Sequence, residues 1–277
     1  MSPMLNLAGT LIDAISVGGV ETCIQIPKWK LAFDIGRCPR KAVYRETVLF
    51  THAHMDHMGG VAFHAATRGL MHLAPPTYVV GPENTEPLEG FLEAARRLDR
   101  TDLACTIHPL GPGGEFALTP NLIAKPFRSV HVVPTQGYGI WDRRNKLKPK
   151  YSELSGEELR DLRRAGEPIT QQVDVPLLAF TGDTRIELVE REEVVRKAKI
   201  LIMECTFVDD RVSVEKARES GHIHLFELAE RASLFENEAI LLTHFSARYK
   251  AAEIEAALDA HLPPELRKRV TALVDEH

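Results

Sequence analysis

The sequence predicts an α/β protein in which helices flank β-sheets. Short apolar runs of strand length alternate along the chain with amphipathic stretches of helical spacing. Several of these runs also end abruptly in a polar, chemically capable residue, and α/β folds place their ligands at strand ends. With 277 residues, 44% of them hydrophobic and 26% charged, the chain can bury a substantial core.

The N-terminal third alternates apolar and polar residues, as in "CIQIPKWKLAFDIG", which fits strands with unlike faces. "KAVYRETVLF" then runs into "THAHMDHMGG" at 51–60, and a helix is expected from Gly59 through "GGVAFHAATRGLMHL". A second helix is expected over "EPLEGFLEAARRL". The run "KPFRSVHVV" delivers His131, and "VPLLAFTGDT" delivers Asp183. "AKILIMECTF" delivers Glu204 and "EAILLTHFS" delivers His244. "DVPLLAF" and "ILIM" read as fully buried. "SGEELRDLRRAG" opens on a Ser cap with Gly166 placed to end it, and "HLFELAERASLF" and "AAEIEAALDAHL" are further amphipathic helices. We read residues 1–277 as one domain of two sheet-bearing halves. The turn signals "KLKP" and "GEPI" mark a variable excursion at about 141–172.

Composition narrows the function classes. No apolar run approaches bilayer-spanning length, and the N-terminus lacks the basic region of a secretory signal. Cys23, Cys38, Cys105 and Cys205 are scattered without a C-x-x-C pair, which suits a reducing cytoplasm better than a disulfide framework. The net charge of −5 speaks against a general nucleic-acid coat, but "RRNKLKPK" at 143–150 carries five basic residues and no acid. By itself such a run is a solvated face; beside a phosphate-handling site it becomes a phosphate track.

The chemistry concentrates at 52–57. His52 and His54, two apart in an extended segment, project to the same side and can grip one ion. Asp56 and His57 lie just beyond, where the turn can aim them at a second ion, and Gly59 and Gly60 let the backbone bend closely. Gathering several imidazoles and a carboxylate without a metal has little to recommend it. Two ions need more ligands, and the strand-end residues can provide them: His131 for the first, His244 for the second, Asp183 for both. Imidazole and carboxylate donors suit zinc, and catalytic zinc sites keep a position open to water.

The stretch "THAHMDH" resembles the signature of the metallo-β-lactamase superfamily. Within it, "FDIGRCPR", "HVVPTQGYGI", "FTGDT", "MECTF", "GHIH" and "LLTHFSARY" resemble tRNase Z, the endonuclease that trims the 3′ trailer of precursor tRNA. The resemblance covers nearly the whole chain and is closest to the short form. It implies an αββα sandwich with two Zn2+ per chain, one held by His52, His54 and His131, the other by Asp56, His57 and His244, with Asp183 between them. It further implies that His222 in "GHIH" donates a proton with support from Glu204, and that Ser246 and Arg248 contact phosphate. Asp56 is expected to orient or deprotonate the attacking water. Precursor tRNA is the implied partner and a homodimer the implied assembly. Relative to the family, Met203 and Cys205 flank Glu204 in place of His and Ala, and the Gly/Pro-rich tRNA-clasping arm is reduced. The excursion, with Arg143, Arg144, Lys146, Lys148 and Lys150, is expected to replace it.

Two other readings compete. One is a zinc hydrolase of the same fold acting on another phosphodiester or on a small ester or thioester; "GHIH" and "THFSARY" argue against small substrates, which need no phosphate-directed donors. The other is a non-catalytic RNA-binding relative, disfavoured because every expected ligand is present.

Overall fold

The computed structural model describes residues 4–274. Among the described residues, fourteen strands form two seven-stranded sheets, each in sequence order. The first contains β1 (Leu5–Leu7), β2 (Thr10–Val17), β3 (Glu21–Ile26), β4 (Leu31–Phe33), β5 (Thr47–Leu49), β6 (Thr77–Val80) and β7 (Thr106–Pro109). The second contains β8 (Phe116–Thr119), β9 (Leu122–Arg128), β10 (Gln136–Leu147), β11 (Thr170–Phe180), β12 (Ile200–Glu204), β13 (Ala239–Thr243) and β14 (Val270–Ala272). In each sheet the first four strands pair antiparallel and the last four parallel. The two halves thus share a strand plan although the sequence carries no visible repeat.

Period-two alternation sorts the side chains into three layers. Leu31, Phe33, Leu49 and Val79 of the first sheet face Tyr138, Leu178, Phe180, Ile200 and Ile202 of the second, with the Phe33 and Phe180 rings 5.1 Å apart. Ala32, Val48, Tyr78 and Val80 point outward onto helix residues Val61, Leu88 and Leu92. Leu201, Met203, Ile240 and Leu242 pack outward onto Leu225, Leu228, Ile254 and Leu258. Helix, sheet, sheet, helix is the αββα sandwich expected above. Cys205 is a core side chain, and the four cysteines are free. Among the described residues no helix is long and apolar enough to cross a membrane.

Some local expectations change. Asp56 and His57 lie on a one-turn helix, Met55–Met58, ahead of the helix Val61–Leu70, so the helical segment starts before Gly59. Gly60 is needed for close approach rather than for its φ, since a Cβ there would lie 2.4 Å from the Ile35 carbonyl oxygen. The helix expected over 224–235 is short, Leu225–Glu230, and gives way to a 3-10 turn. "ILIM" is fully buried, but in "DVPLLAF" only the last three residues are, because the earlier part belongs to an extension of the sheet. There β10 and β11 run on as a two-stranded arm as far as the pair Leu147–Thr170. The arm's tip carries the helix Gly156–Arg164, with Ser155 and Glu158 forming a capping box and Gly166 at φ +78°.

Candidate metal centre

Strand direction gathers the site. Parallel pairing of β4 with β5, and of β11 with β12 and β13, puts their C-terminal ends on one edge of each sheet. Antiparallel pairing through β10 brings the end of β9 to that edge too. The chain leaves β5 into His52, β9 into His131, β11 into Asp183 and β13 into His244, while Glu204 is the last residue of β12.

The ligand atoms of His52, His54, His131 and Asp183 lie within 4.8 Å of one another, as do those of Asp56, His57 and His244. Asp183 joins the sets: Oδ1 is 3.3 Å from His57 Nε2, and Oδ2 is 3.4 Å from His244 Nε2 and 3.7 Å from His52 Nε2. His54 offers Nδ1, 3.0 Å from His52 Nε2.

Hydrogen bonds on the far side of each ring set which nitrogen faces inward. Asp34, buried at the end of β4, accepts from the Thr51 amide (2.8 Å), the Thr51 hydroxyl (2.8 Å) and His57 Nδ1 (2.8 Å). With its proton given to Asp34, the Thr51 hydroxyl accepts from His52 Nδ1 (3.0 Å). On the opposite side the Thr206 hydroxyl donates to Glu204 (2.6 Å) and accepts from His244 Nδ1 (3.0 Å). The carbonyl of Gly221 accepts from His131 Nδ1 (2.9 Å). Gly221 has φ +83°, and a Cβ there would lie 2.6 Å from His131 Nδ1, so both backbone form and space require glycine. These bonds turn the Nε2 atoms of all four rings toward the centre, where those of His57, His131 and His244 meet no hydrogen-bond partner and that of His52 lies 3.0 Å from His54 Nδ1.

The residues therefore fit a pair of cations. His57 Nε2, His131 Nε2 and His244 Nε2 are buried without a hydrogen-bond partner, and buried polar atoms demand one. Burial, then the neighbouring His57, pushes the His52 imidazole well below its usual range, and burial lowers His131, so both rings are neutral donors. Burial works against the Asp183 carboxylate, yet His244, His57 and His52 around it hold it well below the carboxylate range. Asp34 and His244 adopt φ +53° and +61°, strained for non-glycine residues. The Ser16 hydroxyl accepts the His244 amide (3.1 Å) and helps to hold that turn.

A family model described as the Beta-lactamase superfamily domain matches residues 36–245, a span that includes all seven ligand candidates. tRNase Z TRZ1 of Arabidopsis thaliana is 45% identical over 271 residues, covering 97% of this chain and 96% of that protein. The chain belongs to the tRNase Z family. The chloroplastic tRNase Z TRZ2 of the same plant is 40% identical over 256 residues, covering 92% of this chain and 72% of that protein. In fold, the structure is similar to human tRNase Z, short form, with a TM-score of 0.57, 20% identity and coverage of 99% and 92% of the two chains. It is also similar in fold to the protein YhfI of Bacillus subtilis, with a TM-score of 0.62, 13% identity and 96% coverage of both chains.

The residues expected to act beside the ligands divide into three groups. His222 and Glu204 pair directly, Nδ1 to Oε1 at 2.9 Å. Glu204 also accepts from the amides of Thr184 (2.7 Å) and Ile223 (3.2 Å), which fixes its position. Burial opposes a charge on His222, but Glu204 and then Asp183 outweigh it and raise its pKa to about 9. His224, two residues on, is a structural histidine that caps the helix Leu225–Glu230 and bonds the Val212 carbonyl (3.1 Å). Ser246 and Arg248 form the second group. Arg248 Nε donates to the Ser246 hydroxyl (3.0 Å), and its guanidinium lies 5.6 Å from the Phe207 ring, which in turn contacts His222.

The basic residues of 143–150 form the third group and lie on the arm. Arg143 departs from the expected phosphate track: it makes paired hydrogen bonds to Asp174 (2.9 and 3.0 Å) and to Glu115 (2.8 and 2.7 Å). Arg144 pairs with Asp142, and Lys150 lies 3.6 Å from Glu167 and over the Tyr151 ring. Lys146 and Lys148 have no ion pair among the described residues. Asp34, Thr51, Thr206 and Gly221 were not identified as site residues from sequence. Asp34 had a usable signal, since "KLAFDIG" is another apolar run ending in an acid.

Proposed function

We propose that the protein is a zinc-dependent endoribonuclease that hydrolyses a phosphodiester bond in precursor tRNA, removing the 3′ trailer and leaving a 3′-hydroxyl. The observation that carries this reading is the joining of two ligand sets by Asp183 with the His222–Glu204 pair alongside. Identity of 45% to a protein named tRNase Z supports the substrate class.

In this reading His52, His54, His131 and Asp183 would hold one ion and Asp56, His57, His244 and Asp183 the other, and the imidazole-rich donor set favours zinc. Two such ions would supply Lewis-acid charge to the phosphate and would lower the pKa of water toward about 7. Asp56, whose Oδ2 accepts from the Gly19 amide (3.0 Å), presents its carboxylate to orient the attacking water and take its proton. His222, protonated and held by Glu204, gives its proton to the departing 3′-oxygen. Water thus supplies the new P–O bond, the O3′–P bond breaks, and the trailer leaves with a 5′-phosphate. Ser246 and Arg248 steady phosphate near His244, and the lysines of the arm attract the RNA further out.

A homodimer working in the cytoplasm completes the proposal. The helices Val61–Leu70 and Thr85–Asp99 leave Phe63 and Leu98 exposed around one shallow depression, an apolar surface of the kind a second subunit covers. Sedimentation analysis should therefore return twice the chain mass. Incubation with a 3′-extended precursor tRNA should release a tRNA with a 3′-hydroxyl, and chelator should abolish the reaction. Cleavage that survives metal removal, or no cleavage with zinc supplied, overturns the reading.

A further inference from the structure

A cavity of about 420 Å3 opens beside His131 and takes no part in the chemistry described above. Its walls come from both halves: Gly81, Glu83 and Asn84 after β6, the loop from Arg128 to Gln136, and Arg191 at the end of the helix Glu187–Arg191. Thr51 and His131 form part of the lining, so the cavity adjoins the first ligand set.

Charge points to an anion. The side chains of Arg128 and Arg191 have no hydrogen-bond or ion-pair partner among the described residues, and a single carboxylate, Glu83, shares the cavity with them. Other arginines of this protein are committed: Arg143, Arg218 and Arg267 each meet carboxylates. The two-residue period that turns Leu122 and Ala124 into the core between the sheets puts Arg128 on that same side, where β9 leaves the core. The loop also offers apolar surface, with Val132 55% exposed and Pro134 exposed beside it, suited to the face of a base or sugar. Asn84 and the loop backbone supply hydrogen-bonding groups. The volume lies at the small end of ligand cavities, enough for a nucleotide and too little for a duplex.

The direction of the strand follows from the other flank. His222 lies between the two ligand sets, its ring 5.0 Å from that of His131 and 5.2 Å from that of His244. The direction therefore comes from Ser246 and Arg248, which lie on the His244 side and are assigned above to the phosphate of the retained tRNA. A strand that enters past His244 and is cut at the centre continues past His131.

We propose that this cavity is a trailer subsite: it receives the first nucleotide of the 3′ trailer, and Arg128 and Arg191 hold the phosphate that follows it. The proposal rests on the phosphodiesterase reading above.

The test compares the zinc-loaded protein with its Arg128→Gln/Arg191→Gln variant. A 5′-phosphorylated uridine trinucleotide should bind the variant at least about tenfold more weakly. The slope of log affinity against log salt should flatten by about 0.7 for each phosphate that is no longer neutralised. Affinity for mature tRNA without a trailer, and turnover of bis-p-nitrophenyl phosphate, should stay at the wild-type level. Equal trinucleotide binding by both proteins, or mature tRNA affinity falling as far as that of the trinucleotide, overturns the subsite. If the wild type turns over the small diester but neither binds nor cuts trailer-bearing RNA, the functional reading fails and the subsite with it.

Discussion

The Asp34 carboxylate accepts three hydrogen bonds from two neighbours, and through them it fixes the inward face of two imidazoles. His57 is held directly and His52 through the Thr51 hydroxyl. Partners of this kind raise ligand basicity and restrict ring rotation. Replacing Asp34 by Asn keeps the shape and removes the charge, so zinc affinity measured against a chromophoric chelator should fall about 10–100-fold with the far-ultraviolet spectrum unchanged. Unaltered affinity would reduce Asp34 to a turn residue. The position of His222 invites a sharper trial, because its ring nitrogen also lies within ligand range of Asp183 and His244. For His222→Ala, zinc content should stay near wild type while cleavage drops about 10²–10⁴-fold; loss of zinc would make it a ligand. The ligand candidates His131 and His244 were legible as residue types at strand ends, and His222 through the "GHIH" motif. The relays through Thr51, Thr206 and the Gly221 carbonyl were not, since a hydroxyl or a backbone oxygen has no distinctive spacing in sequence.

Among the elements, the arm changes most between sequence and structure. Basic residues close together in sequence alternate in direction on a strand, and acids from β11 and the 115 loop come within reach of some of them. Arg143 closes the arm's base against Asp174 and Glu115, with Lys125 also on Asp174 (2.6 Å). Replacing Arg144, Lys146 and Lys148 by Gln should weaken RNA binding and flatten its salt dependence while small-diester turnover is kept. Salt titrations that superimpose on wild type would remove the arm from the interface. The helix Val61–Leu70 holds a different titration. His64 is buried, donates Nε2–H to the Ala42 carbonyl (3.1 Å), and contacts the Tyr78 hydroxyl (2.9 Å). Burial first, with Arg68 adding to it, lowers its pKa from 6.5 to about 4. As pH falls from 6.5 toward 4, the unfolded chain takes up a proton that the native chain refuses, so stability declines by on the order of 3 kcal/mol across that window. Urea midpoints at pH 7 and pH 5 should therefore diverge more for wild type than for His64→Phe; parallel shifts would mean that the ring is solvated.

Across the whole molecule, the centre lies at the seam between two halves with the same strand plan. The first half supplies His52, His54, Asp56 and His57, and the second supplies His131, Asp183 and His244. The Gly18–Ser246 bridge and the Ser16–His244 hydrogen bond lie across the same seam. Ions held as proposed, by ligands from both halves, would bind the native state and not the separated chain. At free zinc about a thousandfold above Kd the linkage is worth about 4 kcal/mol, and stripping the metal should lower Tm by roughly 10 °C. A Tm that chelator leaves unmoved would show that the halves are held by the core between the sheets alone.

The sequence by itself determined the α/β class, the alternation that sorts side chains into layers, and the ligand types, because periodicity and residue chemistry are local properties. It also carried the His222–Glu204 pairing through the family motif. Only the tertiary structure decided which nitrogen of each imidazole faces the candidate metal centre, which arm cations are already neutralised, and that Arg128 and Arg191 share a cavity. Those outcomes depend on atoms from segments far apart in the chain, and only the strand order and direction of the two sheets bring them to one edge.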